Sequence, residues 1–211
     1  MATHKQGVLG GFSGKVGPVI GSSWKGKAVI KARALSYNDA NTETQQQIRT
    51  KFKMLIQFAS ANYGFIDIGF KKQATDITQA NAFIRQNFDD GITGTWPSFE
   101  LNYPKLVLSK GNVDNPYNPA AQVQGSDINI TWTDNSGIGN ARDSDKVMFL
   151  VYNTAKKQTI VDSEAADRST RQASYSLPSS WTGDTIEVYF AMQRVASGET
   201  SNSIFLGTFT L

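Results

Sequence analysis

Apolar residues are spaced in three different ways along the chain. Between Gly7 and Lys31 (GVLGGFSGKVGPVIGSSWKGKAVIK) the anchors Phe12, Val16, Val19, Ile20 and Trp24 stand among glycines. Seven of the 18 glycines fall here: Gly7, Gly10, Gly11, Gly14, Gly17, Gly21 and Gly26. Gly11, Gly14 and Gly17 are three apart, so apolar anchors alternate with positions that have no side chain. Glycine is costly to order and suits backbone that must bend or approach another surface closely. A flexible linker would not carry the bulky anchors, so the stretch reads as a docked arm, packed on its own domain or on a neighbouring subunit. Lys27 to Leu35 follows as a short strand or extended lead-in.

From Ile48 the spacing becomes helical. Ile48, Phe52, Leu55, Ile56 and Ala59 fall on one stripe and predict a helix over Asn41 to Asn62, capped by Asn38 or Asp39 and stopped near Gly64. Phe65 to Phe70 alternates and predicts a strand, and Thr78 caps a second helix over Gln79 to Phe88. A loop around Trp96 and Pro97 leads to a predicted strand over Lys105 to Ser109. Asn112 to Gln124, with Pro116 and Pro119, reads as a connection. Beyond Asp127 short alternating runs recur at Ile128–Trp132, Lys146–Asn153, Thr159–Val161, Ala173–Leu177, Thr185–Ala191 and Ile204–Leu211. Many strands with turn residues between them and no helical period predict an antiparallel sandwich of immunoglobulin-like type. Trp132 and Tyr189 are its candidate core aromatics.

The fold class is therefore α+β, divided as residues 1–111 (glycine-rich arm plus a helical and short-strand unit), 112–126 (linker) and 127–211 (immunoglobulin-like β-sandwich). The net charge of +3 conceals a gradient. Residues 1–53 carry nine Lys or Arg against two acids, a net of +7, whereas residues 111–211 sum to −4. Such asymmetry suits a nucleic-acid surface or head-to-tail attraction between copies of the chain. Because the basic residues are spread singly among glycines and hydrophobes, they fit a protein interface at least as well as a phosphate track. Cysteine is absent, which removes disulfides, thiolate metal sites and cysteine nucleophiles. No apolar run is long enough to span a membrane, and the polar start Met1 to Gln6 lacks the core of a secretion signal.

Candidate chemistry is sparse. His4 is the single histidine and sits in the leading tail, against the needs of a Ser–His nucleophile or a histidine-rich zinc site. A phosphate loop would need Gly at position 9 and Ser or Thr at 16, where the chain has Leu9 and Val16. Asp89 and Asp90 are adjacent acids of a turn. Asp134 to Asp145 (DNSGIGNARDSD) places Asp134, Ser136, Gly139 and Asp145 at calcium-loop positions, but Ile138 breaks the ligand set and no Glu closes it. No acid pair is singled out for glycoside hydrolysis. No cofactor, metal ion or catalytic residue is expected.

Several phrases carry a resemblance across nearly the whole chain: GGFSGKVGPVIGSSWKGKAVIK, Asn38 to Arg49, NYPKLVLSKG, TWTDNSGIGNARDSDKVMFLVYN, LP before a Trp-Thr-Gly-Asp turn, and SNSIFLGTFTL. In these the chain resembles a Bacteroidota family catalogued only as a domain of unknown function and carried also by crAss-like phages. The resemblance implies a structural virion protein, a repeated subunit of a phage tail ring or collar, made in the host cytoplasm. Its partners would be copies of itself in a ring and other tail proteins such as portal or tail-barrel components, without membrane or nucleic acid. In that view Gly11, Gly14, Gly17 and Gly26 permit close backbone contact, Phe12 and Trp24 are apolar anchors, and Lys15 and Lys25 supply charge at the contact's edge. Two other functions compete. One is a glycan-binding or adhesive sandwich module of a bacterial protein; the other is DNA binding through the basic N-terminal half.

Overall fold

The computed structural model describes residues 3, 4, 11–34, 36 and 39–211. Gly7, Gly10, the cap candidate Asn38 and the Leu35 end of the lead-in lie outside them. The chain divides into two compact units, residues 1–42 and 43–211.

The first unit is a four-stranded antiparallel sheet in chain order: β1 (Thr3–His4), β2 (Phe12–Val16), β3 (Val19–Trp24) and β4 (Lys27–Ala32). Two tight turns make it a meander. At Gly17-Pro18, Gly17 has φ +55°, and the loop joins the closing pair Val16 and Val19. At Lys25-Gly26 both residues lie in the left-handed region (φ +47° and +80°), the geometry of a two-residue hairpin loop closed by Trp24 and Lys27.

The second unit opens with α1 (Glu43–Ala61), α2 (Tyr63–Gly69) and α3 (Gln79–Asn87). Asp39 takes the N–H of Asn41 ahead of α1, and the Thr78 hydroxyl accepts the Asn81 N–H as the cap of α3. The strand expected over Phe65 to Phe70 is instead helix α2. Phe65, Ile66, Gly69 and Phe70 are all buried, and their separations of one, three and four residues form a helical face. Next come a short hairpin, β5 (Ile92–Thr95) with β6 (Ser98–Leu101), and a 3₁₀ turn at Tyr103–Lys105. The strand expected over Lys105 to Ser109 does not form. This stretch hydrogen-bonds to side chains and loops: Val107 both donates to and accepts from Asn87, Leu108 donates to the Ser203 hydroxyl, and the Ser109 hydroxyl donates to Ser201 O.

Two facing sheets complete the unit. One has the order β11 (Gln172–Ser176), β8 (Asp127–Thr133), β7 (Tyr117–Gln124). The other runs β10 (Gln158–Asp167), β9 (Lys146–Asn153), β12 (Thr185–Arg194), with β13 (Glu199–Thr200) and β14 (Ile204–Thr210) both paired to β12. Ile128, Ile130 and Trp132 from the first sheet pack on Val147, Phe149, Val151, Val188 and Phe190 from the second. The alternate residues Met148, Leu150, Tyr152, Tyr189 and Ala191 face the opposite way, into a core with Leu55, Phe58, Phe65 and Phe83 of the helices. Burial on both faces explains why β9 reads as the nearly unbroken apolar run VMFLVYN. Helices and sandwich thus share the central sheet. Residues 112–126, read as a linker, hold strand β7, whose Pro119 is tolerated because the strand lies at a sheet edge.

Candidate interaction surface

The glycine-rich sheet sorts its side chains onto two unlike faces. Residues paired across antiparallel strands share a face, so the register fixes the sorting. Gly14 opposes Gly21, which opposes Ile30; Val16 opposes Val19, which opposes Ala32; Ser23 opposes Ala28. That face carries no charge. On the other, Lys15 opposes Ile20, which opposes Lys31, while Ser22 opposes Val29 and Trp24 opposes Lys27. That face is basic with an aromatic at its end.

Glycine is required at one of these positions by space. A Cβ at Gly21 would stand 2.2 Å from Phe12 O and 2.6–2.7 Å from the Phe12 ring. Phe12 therefore lies directly over the backbone of β3. Among the described residues of this unit Gly21 alone is buried, and all six residues of β4 are exposed. Val16, Trp24, Val29 and Ile30 show 53%, 50%, 43% and 64% of their surface.

The residues expected to make contacts therefore fall into three groups. Phe12 and Gly14 lie on the uncharged face, and Gly11 approaches Ala28 of that face, its would-be Cβ 3.3 Å from the Ala28 Cβ. Lys15 and Trp24 lie on the basic face. Gly17, Lys25 and Gly26 form the turns at the strand ends. Val29 and Ile30 were not among the residues expected to make contacts; the register puts Val29 on the face of Lys27 and Lys31, and Ile30 on the uncharged face.

The second unit holds two polar clusters. Around Asp145 the geometry is that of a buried ion-pair staple. Its carboxylate accepts from Arg168 Nη2 (3.1 Å), Arg194 Nε (2.9 Å) and the Arg142 N–H (2.9 Å). Arg168, fully buried, also donates to Asn135 Oδ1, Arg142 O and Asp114 O, and its own carbonyl takes the Trp132 indole N–H. This explains the calcium-like spacing of Asp134 to Asp145: the last acid serves two guanidiniums, and Asp134 accepts from the Ser136 N–H and hydroxyl within its own turn. Those bonds hold the Asp134 carboxyl below its usual range.

The other cluster lies on the helical side of the central sheet. A hollow of about 210 Å³ is lined by Met54, Phe58, Leu101, Tyr103, Tyr152 and Lys157. Burial raises the Tyr103 hydroxyl to about 12, with Tyr152 and Glu187 adding to it. Glu187, opposite Tyr152 on β12, is pushed up by burial, against the lowering effect of the Thr208 hydroxyl that donates to it. Among the described residues no three His, Asp or Glu side chains converge as metal ligands, and no helix is long and apolar enough to cross a membrane.

Comparison with known families places a domain over residues 11–207, nearly the whole chain and both units. The protein belongs to this family, described as a family of unknown function (DUF6266). No curated protein matches the chain.

Proposed function

We propose that this protein is a structural subunit that assembles with copies of itself through the sheet of residues 11–32. One observation carries the reading: among its described residues this sheet has no core of its own. Apolar side chains lie exposed on both of its faces, and the chain has no cysteine to staple it. Sheets and domains of about 40 residues seldom stand alone without disulfides, metals or a partner surface. Its partner contributes the missing half of that core. The seven main strands of the second unit, three facing four, support an immunoglobulin-like sandwich as the rigid body that presents the sheet.

The resemblance to a family carried also by crAss-like phages supports one setting for the assembly: a ring or collar of a phage tail, seated against portal or tail-barrel proteins, without catalysis or cofactor. The test is the mass of the full chain by light scattering beside that of residues 43–211. The full chain should form a multimer of fixed number and the truncated body a monomer; a monomeric full chain at high concentration overturns the reading.

Lys15, Lys27 and Lys31, aligned on one face beside Trp24, favour a second reading, polyanion binding. It requires DNA affinity that falls steeply with salt and is lost when the three lysines become glutamine.

A further inference from the structure

The two facing sheets of the body differ in width. The sheet containing β12 is four strands across, the other three, and on one side the strands β7 and β14 run close to each other with neither paired outward. Between them lies an opening of about 590 Å³, lined by Ala121, Val123 and Gly125 of one edge and Phe209 and Leu211 of the other. Ala121, Val123, Phe209 and Leu211 are partly buried and pack against the sandwich core, so the opening is an uncovered flank of that core. The β7–β8 hairpin has a two-residue loop closed by Gln124 and Asp127. A closing pair of this kind exchanges both hydrogen bonds, so Ala120, Gln122 and Gln124 bond to β8 while Ala121 and Val123 turn their N–H and C=O outward.

We propose that this opening receives strand β4 of a second copy, which extends the three-stranded sheet by one strand. The inference rests on the self-assembly reading above and names the receiving surface. Three matches support it. Among the described residues β4 is the outer strand of its own sheet and pairs only with β3, which leaves its second edge open there. Its six residues span roughly 20 Å, against about 17 Å for the five residues Ala120–Gln124 that lie beyond Pro119. Its alternation fits the site: Ala28, Ile30 and Ala32 would meet the apolar floor, and Lys27, Val29 and Lys31 would continue the outer face. On that outer face stand Gln122, Gln124, Asn129, Thr131, Ser174 and Asp127, and Asp127 is the only charged residue of β7, β8 and β11. Lys27 and Lys31 would bring positive charge beside it. The larger charge balance agrees, with +5 for residues 1–42 and −4 for residues 111–211. Each copy then carries one donor strand and one acceptor edge. Such contacts are heterologous, and they form a ring where the rotation between successive copies closes.

Cysteine cross-linking of the full chain tests this, since the natural sequence has none. Ile30→Cys and Ala121→Cys chains, tagged to different sizes, are mixed and oxidised. A mixed dimer several-fold more abundant than that between Ile30→Cys and the control Ser174→Cys, on the opposite edge, supports the proposal. Multimers by light scattering without the 30–121 bridge would overturn the receiving surface and leave self-assembly standing. Monomers throughout would overturn both. A doubly substituted chain that bridges internally and stays monomeric would mean that the sheet folds onto its own body, which also overturns the proposal. Ala121→Pro removes an outward N–H without breaking the β7–β8 ladder; it should reduce the mass to that of a monomer while leaving the melting of the body unchanged.

Discussion

The two units answer the same problem, how to stabilise a β-sheet, in opposite ways. The central sheet of the body is covered twice, by helices on one face and by a second sheet on the other, and Leu150, Val151, Val188 and Tyr189 are completely buried. The glycine-rich sheet buries one described residue, Gly21, and leaves Ile30 largely exposed. Where a core is internal, substitutions should act on stability. Where it is supplied by another surface, they should act on assembly.

The largest effect is expected at the staple. Arg168→Met leaves Asp145 short of a partner in a buried site, and loss of one member of such a pair costs about 3–5 kcal/mol. Urea unfolding of residues 43–211 reads this directly, and a loss below about 1 kcal/mol would show that the network is not load-sharing. Next is Gly21→Val, which has no room beneath Phe12. The full chain should lose its multimers while the main melting transition of the body stays in place; a parallel fall in both would merge the two units into one cooperative structure. A smaller effect follows from Ile30→Asp, which puts a charge on the uncharged face. It should weaken association on the order of tenfold to a hundredfold, judged from about 1–3 kcal/mol per lost apolar side chain, and sedimentation at several concentrations would measure it.

The smallest effect concerns Glu187. Its carboxyl is raised in the folded body, so the stability linked to it is complete below the unfolded value, about pH 4, and declines as pH rises through the folded value. Glu187→Gln should therefore be the more stable protein at pH 8 and indistinguishable from the natural chain near pH 4. Equal stabilities at both pH values would show that the Thr208 hydroxyl offsets the burial.

How far these features could be read in advance depended on how local their cause was. Helices α1 and α3 and strands β8, β9, β11, β12 and β14 follow from periodicity and turn residues and lie within a few residues of expectation, β9 at its expected bounds. Phe65–Phe70 misled because its apolar residues fit a period of two as well as the helical face that α2 buries. The strands β2 and β3 were hidden because glycines occupy side-chain positions that would have shown alternation. The staple joins Asp145 to Arg168 and Arg194, 23 and 49 residues away, and nothing near any of the three marks the pairing. For the residues expected to make contacts, glycine and aromatic content suggested a docked arm, and only strand register shows that Phe12 and Gly14 face one way and Lys15 and Trp24 the other.

The bonds from Leu108 and Ser109 to Ser203 and Ser201 also set an order of events during synthesis. The helical layer cannot complete its contacts until residues 201–203 have left the ribosome, and β14, which follows them, builds one wall of the groove proposed to receive a second copy. On the proposed seam, the groove is therefore complete only in a body whose helical layer can already close.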